Sequence, residues 1–237
     1  MKRALITGIA GFVGFHLAKG HHALGWEVVG IDAFTTFYSR NLKEERAKML
    51  RALGIEIHEK KIDSTLSNLA KDCTHLIHLA AQPGIRTSLT HPDSCFEHNA
   101  LAFFHVLETC RAHTQLKLVY ASSSSVYGET SHCSKESDRT DHPKSLYAAL
   151  KKSNELMAHT YHHLFGFSTI GLRFFTVYGP WGRPDMAYFT FAEKIAAGEP
   201  IELFNNGEME RDFTYIDDIV DGIILALNSD IDEGIFN

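Results

Sequence analysis

Tyr147 and Lys151 stand four residues apart in Tyr147-Ala148-Ala149-Leu150-Lys151, so a helix through them carries both on one face. An ammonium held near a phenol stabilises the phenolate and lowers its pKa from about 10 towards a working pH, where the phenolate can act as a base. The pair is common by chance and gains its weight from Ser122-Ser123-Ser124-Ser125, which follow the apolar run 117–121. Hydroxyls at the carboxyl end of a parallel strand point into the crevice where such sheets bind ligands. Ser123 is placed there to bridge a substrate hydroxyl and Tyr147. Ser123, Tyr147 and Lys151 are therefore the catalytic candidates.

A second constellation lies at the amino end. Gly8, Gly11 and Gly14, with Phe12 and Val13 between the last two, follow an apolar run at 3–7 and precede a helical pattern at about 12–24. In that setting glycines let the backbone approach a pyrophosphate, which then rests on the N–H groups and positive dipole end of the helix. Asp32 ends the next apolar run, where a carboxylate accepts hydrogen bonds from both hydroxyls of an adenosine ribose and repels a 2′-phosphate. Ala33 and Phe34 follow rather than Arg, which favours NAD over NADP. Asp63, after the third strand pattern, is in place to meet the adenine edge, although a loop Asp is also an ordinary turn former.

These groups need a scaffold that brings residues 8–14, 32, 123 and 147–151 together. Strand patterns at 3–7, 27–31, 55–58, 75–80, 116–121 and 168–173 alternate with helical patterns at 12–24, 41–53, 95–113 and 147–165. That alternation predicts right-handed crossovers and a doubly wound α/β domain of the Rossmann type, its parallel sheet covered on both faces. After residue 179 the texture changes to a Pro/Gly loop, a helix at 187–197, short strand pieces within 200–216 around Asn205-Asn206-Gly207, and a helix at about 217–228 that returns to the main sheet. We expect a cofactor domain over 1–179 and a small, incomplete substrate lobe over 180–237.

Composition narrows the partners. The 237 residues are 44% hydrophobic and 22% charged, with a net charge of -6, a balance that suits a globular enzyme and disfavours a nucleic-acid surface, which needs basic neutralising charge. No run approaches the roughly 20 apolar residues of a membrane span, and the start MKRALITG enters a strand pattern without a cleavage site, so a cytoplasmic location is expected. Cys73, Cys95, Cys110 and Cys133 form no CxxC pair and read as reduced thiols. His159, His162 and His163 share a helix face, but a solvated face is the better reading than a metal site.

Taken together, TGIAGFVG, HLAAQ, YASSSSVYG, YAALK, RFFTVYGP and RDFTYIDDIVDG resemble the extended short-chain dehydrogenases/reductases, the group of nucleotide-sugar epimerases, dehydratases and decarboxylases. The resemblance covers essentially the whole chain. It implies bound NAD, with Leu79, Ala80 and Ala81 along the cofactor, Asn99 behind the strand, Phe174 near the nicotinamide and Lys151 on its ribose. It also implies a UDP-sugar substrate and a homodimer formed by the helices at 95–113 and 147–165. The dehydratases of the group carry an acidic pair after the catalytic hydroxyl and the decarboxylases a Glu; here Ser124 and Ser125 stand there, which leaves oxidation and return of hydride as the simplest chemistry.

Gln82-Pro83-Gly84-Ile85-Arg86-Thr87-Ser88 and the stretch from Val177 to Asp185 are similar to those of UDP-glucuronate 4-epimerases. An Arg fork suits a carboxylate through two parallel hydrogen bonds. Arg183 with Thr176 is the candidate for the C5 carboxylate, Arg86 for the substrate cleft and Arg211 for the diphosphate. Glu233-Gly234-Ile235-Phe236-Asn237 resembles a strand from the middle of longer relatives, so part of their substrate lobe is expected to be absent. A UDP-galactose 4-epimerase, a UDP-glucuronate decarboxylase and an NAD-binding protein without turnover are the alternatives.

Overall fold

Apolar runs of four to seven residues punctuated by glycine leave little choice but buried strands, and seven of them form one parallel sheet. In the computed structural model, which describes residues 2–130, 132–208 and 210–237 and leaves the side chains of Ile85, Arg86, Phe204 and Asn205 undescribed, these are β1 (Arg3–Thr7), β2 (Glu27–Asp32), β3 (Glu56–Glu59), β4 (His75–His78), β5 (Lys117–Ser123), β6 (Thr169–Phe174) and β9 (Glu233–Phe236). Their order is β3-β2-β1-β4-β5-β6-β9. The winding direction reverses between β1 and β4, so the chain leaves a crevice at the carboxyl ends there. Thr7, Asp32, His78 and Ser123 all lie at those ends.

Alternation along each strand divides the core. Ala4, Ile6, Ile77, Val119 and Ile170 pack with Phe15 and Leu17 of α1 (Phe12–Ala23) and Val220 and Ile223 of α9 (Ile216–Asn228). Leu5, Leu76, Leu118 and Tyr120 face the opposite layer, meeting Phe103 and Leu107 of α6 (Ala102–Ala112) and Ala158 of α7 (Leu146–Phe165). The remaining helices are α2 (Arg40–Ala52), α3 (Leu66–Ala70), α4 (Ile85–Thr90), α5 (Pro92–Phe96) and α8 (Ala187–Ala196). The doubly wound parallel sheet expected from the sequence is the fold observed.

Two details differ from expectation. The helical path at 95–113 begins at Pro92 and carries a π-helical turn over Glu97–Leu101 between α5 and α6. Within 200–216, where strand pieces were expected, the chain makes a 3-10 turn at Phe204–Gly207, because Asn206 at φ 54° and Gly207 at φ 83° leave the extended region. Among the described residues of this stretch only β8 (Phe213–Tyr215) pairs, in parallel with β7 (Thr176–Tyr178). The four cysteines are free thiols, three of them buried. Among the described residues no cluster could hold a metal ion and no helix is long and apolar enough to cross a membrane.

Burial makes the fold acid-sensitive. His75 packs on Trp26 at 4.8 Å and His78 on Phe103 at 5.4 Å, and desolvation lowers their pKa values to about 4 and about 3. Both folded values lie below the unfolded one near 6.5, so the stability these neutral rings contribute is complete above pH 6.5 and is lost as pH falls towards the folded values. The urea midpoint is expected to fall steadily from pH 6.5 to pH 4, by an amount equivalent to roughly 3 kcal/mol or more. A flat midpoint over that window would refute the account.

Candidate active site

The glycine turn is built by close approach. A Cβ on Gly8, whose φ is 71°, would lie 2.7 Å from the amide nitrogen of Ala80, and one on Gly14 would lie 2.2 Å from the Gly8 carbonyl oxygen. Only hydrogen fits at either place. The first turn of α1 has neither a side-chain cap nor an acidic residue, so its free N–H groups keep their affinity for an anion. Gly8, Gly11, Phe12, Val13 and Gly14 line a cleft of about 870 Å³ that runs past Asp32 and on to Ser123 and Tyr147.

Asp32 sits at the end of β2 with one oxygen accepting from the Ala10 N–H at 3.0 Å and the other from the Phe34 N–H at 2.8 Å. Burial pushes its carboxyl up, and those amides together with Lys43 oppose the shift. Each oxygen retains acceptor capacity for a ribose hydroxyl. Arg46 lies beneath this corner, fully buried. It donates to the Ala10 carbonyl at 3.1 Å, the Tyr38 hydroxyl at 2.8 Å and the carbonyls of Trp181 and Gly182 at 2.5 and 3.2 Å. One side chain thus ties the glycine loop to the 181–182 loop.

Leu79, Ala80 and Ala81 line the cleft after β4, where the Thr7 hydroxyl accepts from the N–H groups of Leu79 and Ala80 at 3.2 and 3.3 Å. Two expected cofactor residues are placed otherwise. Asp63 accepts from the Thr65 amide and hydroxyl and pairs with Lys60 at 3.0 Å; the Thr65 bonds above all hold its carboxyl down at about 2. It does not line the cleft, and its local bonds make it a turn former. Asn99 is buried off the cleft, donating to the carbonyls of Gln82 and Cys95 at 3.1 and 2.8 Å; it shapes the loop after β4 rather than facing the cavity.

At the other end α7 begins with Ser145 accepting from the Ala148 N–H at 3.1 Å, a cap that fixes where the helix starts. Tyr147 and Lys151 then meet β5 as spaced. Lys151 is buried, with its Nζ donating to the Ala121 carbonyl at 2.7 Å and lying 5.9 Å from the Tyr147 ring centre. Burial lowers its pKa to about 8. Ser123 lies near enough to the Tyr147 phenol to act on its titration, and the Ser123 hydroxyl contacts the Ser125 hydroxyl. The expected lowering of the phenol does not appear: burial pushes it above its ordinary value, and Ser123 and the charge of Arg183 offset only part of that. The ammonium is turned to a carbonyl, while the ring packs among Leu146, Leu150 and Cys95.

The substrate candidates fall along the same cleft. Ser124, Ser125, Phe174, Thr176, Arg183 and Arg211 line it. Arg183 already holds a carboxylate, forking onto Asp185 at 3.1 and 2.5 Å and lying 5.8 Å above the Phe37 ring. Arg211 is exposed and donates to the Glu210 carbonyl at 2.6 Å. The Arg86 side chain lies outside the described residues. Phe37, Lys43 and Asp185 also line the cleft and were not singled out from the sequence. The aromatic-rich turn 34–38 and an acid two residues after Arg183 were the available signals.

A parallel sheet with its crevice at the switch point, a side-chain-free cradle at the first helix and Tyr147 with the buried Lys151 beyond it define a dinucleotide-binding α/β protein. The chain belongs to the NAD dependent epimerase/dehydratase family, whose model matches residues 4–237. It is 48% identical to protein MJ1055 of Methanocaldococcus jannaschii, over all of this chain and 75% of that one. It is 49% identical to UDP-glucuronate 4-epimerase 2 of Arabidopsis thaliana, over 95% of this chain and 54% of the relative, so it spans about half the length of that protein. Among solved structures it superposes on the UDP-glucuronic acid 4-epimerase of Bacillus cereus in complex with UDP-glucuronic acid and NAD. The TM-score there is 0.93 at 36% identity, covering 99% of this chain and 76% of that one.

Proposed function

We propose that the protein binds NAD and epimerises a UDP-sugar at C4, converting UDP-glucuronate to UDP-galacturonate. The observation that carries this reading is the continuity of one cleft from the glycine cradle and Asp32 to Ser123, Tyr147 and Arg183. The likeness to the Arabidopsis and Bacillus epimerases supports it. The pyrophosphate would rest on Gly8–Gly14 and the start of α1, the adenosine ribose on Asp32, the nicotinamide ribose on Lys151, and Phe174 would face the nicotinamide. NAD, when bound, takes the C4 hydride and returns it. Tyr147 accepts the C4 hydroxyl proton, Ser123 orients that hydroxyl, and Arg183 with Thr176 receives the C5 carboxylate in place of Asp185. After oxidation the 4-keto sugar would turn about its diphosphate, held by Arg211 with Arg86 in the substrate cleft, so that the hydride returns to its other face while Tyr147 gives the proton back to the C4 oxygen.

Ser124 and Ser125, rather than carboxyl groups, stand beside the catalytic hydroxyl, which favours proton and hydride return over elimination or loss of carbon dioxide. Incubating the protein with NAD and UDP-glucuronate and following the sugar by NMR is the test. UDP-galacturonate is the expected product; a UDP-pentose would assign a decarboxylase instead, and conversion of UDP-glucose but not UDP-glucuronate a galactose-type epimerase. We place residues 1–179 with the cofactor and 180–237 with the sugar, and the protein in the cytoplasm.

Asp32→Ala is expected to weaken NAD about 5- to 150-fold, equivalent to roughly 1–3 kcal/mol for charge-assisted bonds, as read by calorimetry. Equal affinity of the parent for NADP would count against this role. We also propose a homodimer: Leu101 just before α6, Phe104 on α6 and Leu156 and Leu164 on α7 are exposed, which supports pairing of two such helices per chain across a two-fold axis into a four-helix bundle. Sedimentation at micromolar concentration is expected to give twice the chain mass, and a monomer would contradict it.

A further inference from the structure

Three successive turns of α7 are tied to three successive residues of β5. Tyr147 reaches Ser123 and Lys151 reaches the Ala121 carbonyl, as described; between them, Ser122 donates to a Glu155 carboxylate oxygen at 2.6 Å. Tyr147, Lys151 and Glu155 are spaced by four and run as one stripe along the helix. Glu155 is buried, yet its function in the reaction chemistry is nil: it does not line the cleft. Its charge is held by the equally buried Arg173 of β6, which donates from Nε at 2.9 Å to one oxygen and from Nη2 at 2.9 Å to the other. Lys152 adds a contact at 3.3 Å. The third arm of Arg173 donates at 2.8 Å to the Tyr127 hydroxyl, at the end of the 3-10 turn Ser124–Tyr127 that carries Ser124 and Ser125.

We propose that Glu155, with Ser122 and Arg173, is a positioning group that fixes the register of α7 on β5 and so sets the Tyr147 phenol against Ser123. Apolar packing of a helix on a strand is non-directional and tolerates a slide of a fraction of an ångström, whereas a bidentate ion pair closed by a short hydroxyl bond does not. A misplacement on that scale matters where a proton must be taken at a stated atom. The same guanidinium reaches α7 through Glu155, β5 through Glu155 and Ser122, and the serine turn through Tyr127, so one cation holds all three elements that carry the reacting side chains. Burial alone would raise the Glu155 carboxyl, but Arg173 and Ser122 hold it below its usual range, so the anchor keeps its charge at neutral pH.

The proposal rests on Tyr147 being the base named above, and its test has one arm that does not need turnover. In the NAD-loaded full chain, the Tyr147 phenol is titrated by near-ultraviolet absorbance, with Tyr147→Phe subtracted, in the parent, Ser122→Ala, Ser122→Thr and Glu155→Gln. The charged or titratable groups facing the phenol, Lys151, Arg183 and Cys95, are untouched by these changes. Ser122→Ala is expected to raise the midpoint by about one unit and lower kcat about tenfold, the equivalence of one unit to a factor of ten, with KM for the UDP-sugar unchanged. Ser122→Thr is expected to restore both. Glu155→Gln leaves Arg173 without its counter-charge and is expected to shift both further; if it fails to fold, Ser122→Ala decides alone. An unshifted titration in Ser122→Ala overturns the proposal. Should the parent not convert UDP-glucuronate, the functional reading falls while the titration still decides whether Ser122 and Glu155 set the phenol.

Discussion

Tyr147→Phe is expected to lower turnover by about 10²- to 10⁴-fold, the usual worth of a positioned general base, while NAD remains bound. The substitution removes one oxygen from a ring packed among Leu146, Leu150 and Cys95, so the volume is preserved and Lys151 keeps its bond to the Ala121 carbonyl. Turnover assays with cofactor occupancy measured on the same sample separate the two effects. A variant within tenfold of the parent would remove Tyr147 from its role. For Tyr147 to act as the proposed base its phenol must come down, because in the structure burial holds it above its ordinary value. Positive charge supplied on ligand binding, or a closer approach of Lys151, has to bring it down.

Arg183→Ala is expected to erase the preference for UDP-glucuronate over UDP-glucose. Removing one partner of a buried charge pair costs roughly 2–5 kcal/mol, and the present geometry argues for the lower end. Arg183 is not waiting free; it forks onto Asp185, so a sugar carboxylate exchanges one bidentate pair for another. The net gain is the difference between the two. Comparing kcat/KM for the acidic and neutral sugars in the parent and in Arg183→Ala measures it directly, and Asp185→Asn, by vacating the fork, is expected to strengthen the preference. An unchanged ratio in Arg183→Ala would place the carboxylate elsewhere.

Much of this was legible in the chain because its cause is local. Gly8 and Gly14 must be glycine for want of space, Asp32 ends an apolar run whose neighbours are strands, and Tyr147 and Lys151 share a face as soon as the segment is helical. Asp63 could be read two ways because the same residue type serves a turn and an adenine edge, and in the structure Thr65 two residues on engages it in a turn. The phenol's shift could not be read from spacing, since it depends on how deeply the ring is buried and where the ammonium points. Glu155 and Arg173 were not singled out from the sequence, although Arg173 stands as a charge within an apolar strand and Glu155 on a helix face that is otherwise buried. Such charges have to find each other, but only the register of β5, β6 and α7 shows that they meet beneath the site.

Arg46 carries a consequence for cooperativity. Its two terminal nitrogens donate only to uncharged acceptors, the carbonyls of Ala10, Trp181 and Gly182 and the Tyr38 hydroxyl, while its buried Nε meets no hydrogen-bond partner among the described residues. It therefore acts as a rivet between the loop that would cradle a pyrophosphate and the loop that carries Arg183. Ordering either loop prepays part of the entropy of ordering the other, which is coupling without displacement. Linkage makes the exchange symmetric: whatever factor cofactor occupancy adds to sugar affinity through this rivet, the sugar returns to the cofactor. A tightly held dinucleotide is then a standing effector of the sugar site as well as a reactant in it.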